Sequence, residues 1–96
     1  MPYIDPEDRE RVVMDGPETP GELNFRVIEL INDYIDASGE PVSYALFNEI
    51  LGVLEAAKLE FYRRMVVPYE DLAMENNGDV FDLGIGDFER KELDAL

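Results

Sequence analysis

An all-α fold is predicted by three features of the chain. Residues 43–67 are apolar at helical spacing and nearly free of helix breakers, residues 20–37 carry a second amphipathic stripe, and helix start and stop signals stand at the ends of both. The expected architecture is an antiparallel helical hairpin of these two segments, with a short N-terminal helix before it and an irregular acidic C-terminal tail after it. Residues 1–82 are expected to form a single small helical domain and 83–96 the tail. A chain of 96 residues has room for one modest core, so homo-oligomerisation, a dimer first, is expected to complete it.

The first helix is announced by Asp5-Pro6-Glu7-Asp8: a capping carboxylate, proline at the first helical position, and acids at the positive end of the dipole. Asp15-Gly16-Pro17 stops it near Met14. Its apolar pattern is limited to Val12, Val13 and Met14, which predicts a marginal arm. Thr19-Pro20-Gly21-Glu22 is a stronger start, with Thr19 as cap and Glu22 three residues on, the spacing of a capping box. Leu23, Val27, Leu30, Ile31 and Tyr34 then recur every three or four residues, with Ile28 and Ile35 widening the stripe. Ser38-Gly39-Glu40-Pro41 ends that helix near Ala37.

Ser43 caps the central helix. Phe47, Ile50, Leu54, Ala57, Phe61 and Met65 form one stripe, broadened by Leu46, Leu51 and Val53. A surface so wide is expected to be covered on more than one side. A connection of about five residues favours the preceding helix as one antiparallel neighbour, and a second copy of the chain is the simplest other one. Gly52 costs about 1 kcal/mol relative to Ala inside a helix; close helix approach at a dimer axis would account for it. Pro68 cannot donate to the carbonyl of Arg64 and disfavours helical geometry at Val67, so the helix is expected to stop or kink there. Tyr69 to Glu75 should add a turn or two before the turn signal Asn76-Asn77-Gly78-Asp79. Val80-Phe81-Asp82-Leu83 alternates like a short extended piece, and Asp87 is placed to cap a last helical turn through Phe88 to Leu96.

Charge is partitioned along the chain. Residues 43–67 balance Glu49, Glu55 and Glu60 against Lys58, Arg63 and Arg64, so the net charge of −15 resides entirely in the flanks. Such acidity disfavours direct binding to nucleic acid or to anionic membranes, and suits a basic protein partner or imitation of nucleic acid. The chain has no cysteine and no histidine, which removes disulfides, thiol nucleophiles, the usual general base near neutral pH and the commonest metal ligands. A non-enzyme with no cofactor and no metal is therefore expected. No stretch reaches the ~20 apolar residues that span a bilayer, and the opening MPYIDPEDRER lacks the regions of a secretory signal. The expected location is the cytoplasm.

Lys58, Arg63 and Arg64 form the one basic cluster of the sequence. With Tyr62 and Tyr69 they could grip a small anionic ligand, since arginine forks phosphates and aromatic rings stack on bases. The plainer reading pairs Lys58 with Glu55 and Arg63 with Glu60 or Glu70. Glu49, Glu55 and Glu60 stand five and six residues apart, on different helix faces, which does not make a catalytic carboxylate pair. Asn76-Asn77-Gly78-Asp79 is out of register for a calcium loop. Glu22, Glu29, Asp33 and Asp36 share one face of helix 20–37 and form a candidate interaction surface, or a DNA-mimicking row; a solvated face opposite Leu23, Val27 and Leu30 has the same appearance.

Pro20-Gly21-Glu22-Leu23-Asn24-Phe25, Glu60-Phe61-Tyr62-Arg63-Arg64 followed by Pro68-Tyr69-Glu70-Asp71, and Glu75-Asn76-Asn77-Gly78-Asp79-Val80 together resemble a family of small proteins of unknown function encoded by tailed phages and prophages. Met1-Pro2-Tyr3-Ile4 is similar too, and the resemblance covers residues 1–82. The family carries Tyr where this chain has Phe25 and Phe81, and one residue fewer around Asn76-Asn77. The resemblance implies a phage setting, in which small acidic helical proteins often modulate a host protein, and brings with it no activity. It also draws attention to Asn24, Asn48, Glu55, Lys58, Arg63, Arg64, Tyr69 and Glu70, polar residues that packing does not explain. Asn48, Glu55 and Tyr62 stack at seven-residue spacing, and Asn48, Gly52 and Glu55 could fix an oligomer register or line a pocket between subunits.

The leading expectation is a small acidic interaction protein that binds and modulates a basic host protein. The alternative is a binder or sponge for a small nucleotide-type signal, using Lys58, Tyr62, Arg63, Arg64 and Tyr69 at a subunit interface. DNA mimicry and a role in phage assembly are lesser alternatives.

Overall fold

The computed structural model describes residues 1–83, and every regular element among them is helical. The expected tail helix from Asp87 lies outside the described residues. Helix α1 spans Pro6–Asp15 and ends at Gly16, whose φ of 94° is open to glycine and whose N–H donates to the Val12 carbonyl at 2.9 Å. Helix α2 spans Pro20–Ser38; Thr19 Oγ1 accepts from the Glu22 N–H at 3.1 Å, and Gly39 closes the helix in the left-handed region. Helix α3 spans Tyr44–Phe61 and is capped by Ser43 Oγ, which accepts from the Leu46 N–H at 3.1 Å. The expected bounds of α1 and α2 and the expected start of α3 hold to within a residue, whereas α3 ends at Phe61 and not at 67.

Pro68 neither stops the chain nor ends the helix. A π-helical turn, Tyr62–Val66, follows α3 directly and leads into α4, Val67–Asn77. The cause is local. Proline lacks the N–H that Arg64 would accept from, and its ring crowds that carbonyl. Widening the preceding turn by one residue, so that the Val67 N–H reaches the Tyr62 carbonyl, moves the obstruction aside and lets the helix continue. Asn76 and Asn77 consequently belong to α4, which Gly78 ends, its N–H donating to the Met74 carbonyl at 2.8 Å. Val80 to Leu83 is irregular and not extended; Asp79 Oδ1 accepts from the Phe81 N–H at 3.0 Å.

The chain divides into two compact units, Met1–Gly52 and the part from Val53 onward. In the first, α1 packs on α2. Val12 is fully buried there, Leu46 nearly so, and Glu22 is the buried charged residue. The N-terminal segment is tied in as well. A Cβ on Gly21 would stand 3.0 Å from the Met1 carbonyl oxygen, Arg9 Nε donates to the Ile4 carbonyl at 3.2 Å, and the Arg9 guanidinium lies 5.4 Å from the centre of the Phe25 ring. The expectation of a marginal N-terminal arm is corrected by these contacts. One buried valine and two arginines anchor α1, a pattern too sparse to register as an amphipathic stripe.

Helices α2 and α3 are joined by residues 39–43, beside the buried Leu46. Leu23, Leu30 and Tyr34 of α2, and Phe47 and Leu51 of α3, are exposed, so these residues do not form the packed seam expected of a hairpin. In the second unit no described side chain is buried; Val66, Val67 and Ala73 are half-buried, and Phe61 and Met65 remain 64% and 61% exposed.

Candidate functional site

The basic cluster lies on the last turns of α3 and the π-turn. Each of its cations has a carboxylate partner. Lys58 Nζ is 3.1 Å from Glu55, while Arg63 and Arg64 approach Glu60 at 2.9 Å and 3.7 Å. All are exposed i,i+3 or i,i+4 pairs, weak individually and sufficient to neutralise this surface. The neighbouring Glu70 carboxylate, as a hydrogen-bond acceptor and then as a negative charge, with a smaller effect of burial, holds the Tyr62 phenol above its ordinary pKa of 10.0. Tyr69 is exposed. Glu55 is paired with Lys58, and Gly52 has open space where a Cβ would stand.

On α2 the expected acidic face is reduced. Glu22 belongs to the interior: Arg11 Nη2 donates to its Oε2 at 2.8 Å, and the Glu18 N–H donates to its Oε1 at 3.0 Å. The Arg11 bond, then the backbone bond, hold the Glu22 carboxyl below the usual range against the opposing cost of desolvation. Arg11 is held charged by the same contact, and its Nη1, buried, has a longer 3.4 Å approach to Glu18. The predicted capping box is thus half reciprocal. Thr19 caps Glu22 as expected, whereas the Glu22 side chain reaches back to Glu18 and is claimed by an arginine from α1. Glu29 is paired with Arg26. Asp33 and Asp36 remain as exposed acids on the last turns of the helix.

Those turns border a recess that sequence reasoning did not find. Tyr34, Ala37 and Ser38 of α2, Glu40 of the connection, and Leu46 and Glu49 of α3 line an open hollow of about 390 Å³. The connection beneath it is fixed by Ser38, whose Oγ donates to the Ile35 carbonyl at 2.8 Å and accepts from the Glu40 N–H at 3.3 Å. The lining mixes apolar side chains with two carboxylates and holds no cation. No sequence motif marks the hollow, because its lining comes from the end of α2, the connection and the start of α3 together. Among the described residues, no cluster of His, Cys, Asp and Glu is placed to hold a metal ion, and no helix is long and apolar enough to cross a membrane.

A family model described as a domain of unknown function (DUF6899) matches residues 1–80. No curated protein and no solved structure matches the chain.

Proposed function

The chain belongs to that family of unknown function (DUF6899), and we propose that it is a non-enzymatic interaction protein that binds a basic partner protein at the acid-lined recess between α2 and α3. The observation that carries this reading is the recess itself: Tyr34, Ala37 and Leu46 line it beside Ser38, Glu40 and Glu49, with no cation among its lining residues. An apolar anchor flanked by lysine or arginine fits that chemistry, and Asp33 and Asp36 extend the negative field along α2. The net charge of −15 favours encounter with such a partner. In the phage setting that the sequence resembles, the partner is a host protein in the host cytoplasm, modulated by occupation of one of its surfaces. Self-association and closer packing of α2 on α3 as a hairpin belong to the same reading.

The test is binding of a lysine- and leucine-rich amphipathic peptide, followed by NMR. The expected result is shifts centred on Ala37, Ser38 and Leu46, affinity that falls with added salt, and a loss of about tenfold or more in a Glu40→Gln/Glu49→Gln variant. Salt-independent binding, or an affinity that this variant leaves intact, would refute the reading. The second reading, a sponge for a small anionic ligand, requires Lys58, Arg63 and Arg64 to leave their carboxylate partners. Native mass spectrometry of protein purified gently from cells tests it: a small adduct that disappears in an Arg63→Ala/Arg64→Ala variant would favour it over the first.

A further inference from the structure

We infer that the apolar face of α3 and the π-turn, centred on Phe61 and Met65, is the docking surface for a second copy of this chain. This inference concerns a surface separate from the recess and does not depend on the partner proposed there. Leu54, Ala57, Phe61 and Met65 share one helical face, with Val53 at its edge, and their exposed fractions run from 37% at Leu54 to 68% at Val53 among the large side chains. With side-chain areas of roughly 150–200 Å², these residues leave about 450 Å² of contiguous apolar surface, at the upper end of what monomers tolerate and a fitting centre for an interface of about 800 Å² per partner.

Two arguments identify the occupant. First, Val53–Asn77 holds no buried side chain, while ordering each residue costs about 1–2 kcal/mol and isolated helices are marginal even without a proline. The cover must be present whenever the chain is folded, and a copy of the chain is the partner always available. Second, charge selects the place. Two chains at −15 repel one another over most of their surface. On this helix Glu55 is matched by Lys58, and Glu60 by Arg63 and Arg64, so two copies meet here without stacking like charge. A basic partner gains nothing from a neutral surface and is drawn to the acidic ones.

The experiment is sedimentation equilibrium of the full chain, with isotope-filtered NMR on a mixture of labelled and unlabelled protein. The expected result is a mass twice the 11.0 kDa of one chain, intermolecular contacts to the Phe61 ring and the Met65 methyl, and at least a hundredfold weaker dimer in a Phe61→Glu variant. Added salt should strengthen the dimer by screening the mutual repulsion, opposite in sign to its effect on a basic partner. Because Phe61→Glu could also unfold the helix, the wild-type NMR contacts decide independently. A monomer at high micromolar concentration, an oligomer whose contacts avoid Phe61 and Met65, or a dimer unaffected by Phe61→Glu would each overturn the inference.

Discussion

Tyr62 and Glu70, eight residues apart, face one another because the π-turn between them holds one residue more than an α-helical turn would. In an unbroken α-helix, eight residues rotate about 80° beyond two turns; one residue absorbed by the bulge brings the pair back to one face, two turns apart. Pro68 is the origin of the bulge and therefore of the contact.

The pH behaviour of this pair is defined in sign. Tyr62 has its pKa raised above 10.0, chiefly by Glu70, so their proximity contributes stability below that pH and loses it as pH rises through the elevated value. Spectrophotometric titration should show one late-titrating tyrosine, absent in Tyr62→Phe and returned toward the ordinary value in Glu70→Gln. Pro68→Ala restores the missing N–H and should have the Glu70→Gln effect, with the helix retained by circular dichroism. A normal Tyr62 titration in the wild type would count against the bulge geometry.

The Arg11–Glu22 contact predicts acid sensitivity in the first unit. Glu22 has its pKa lowered and Arg11 stays charged throughout. The contribution is therefore complete above the ordinary glutamate value and lost as pH falls through the depressed one, so thermal midpoints should be flat from neutrality to about pH 4.5 and drop below it. Glu22→Gln keeps a partner for the Glu18 N–H and gives up the charge; its midpoint should lie several degrees below wild type at pH 7 and converge with it in acid. A difference that persists at pH 2 would indicate packing and not ionisation.

Helix boundaries were legible because caps are local chemistry: Thr19, Ser43 and Gly39 act through backbone groups within three residues. The role of Glu22 was not legible. Its place on the acidic side of α2 is correct by helical periodicity, and only the approach of α1 turns that position inward and brings Arg11 to it. Pro68 was read correctly as an obstacle. Its resolution by a widened turn depends on a balance between one lost hydrogen bond and a continued helix that spacing alone does not set. The recess at Leu46 and Glu49 is lined by the end of one helix, the connection and the start of the next, and no period in either helix records it.

Val12 and Val13 are adjacent and chemically identical, yet Val12 is fully buried and Val13 is 42% exposed. Val12→Ala removes two methyl groups from the contact between α1 and α2 and should cost about 2 kcal/mol, with the surrounding residues only partly closing the void. Val13→Ala should stay within about 0.5 kcal/mol, with the better helix propensity of alanine offsetting lost partial burial. Denaturant melts of the two variants decide the matter. Equal effects would mean that α1 is the loosely attached arm its sequence suggested.

Gly52 offers the sharpest contrast between a helix read alone and a helix read in an assembly. A Cβ there meets nothing within 4 Å in the single chain, so Gly52→Ala should stabilise α3 by about 1 kcal/mol through lost unfolded-state freedom and better propensity. If instead a helix of another copy crosses at Gly52, the added methyl would hold the backbones apart and weaken association. The interface centred on Phe61 and Met65 leaves the glycine outside the contact. Gly52→Ala should therefore raise the thermal midpoint while leaving the dimer dissociation constant within about twofold of wild type. A stabilised but dissociated variant would move the axis of the assembly from Phe61 toward Gly52.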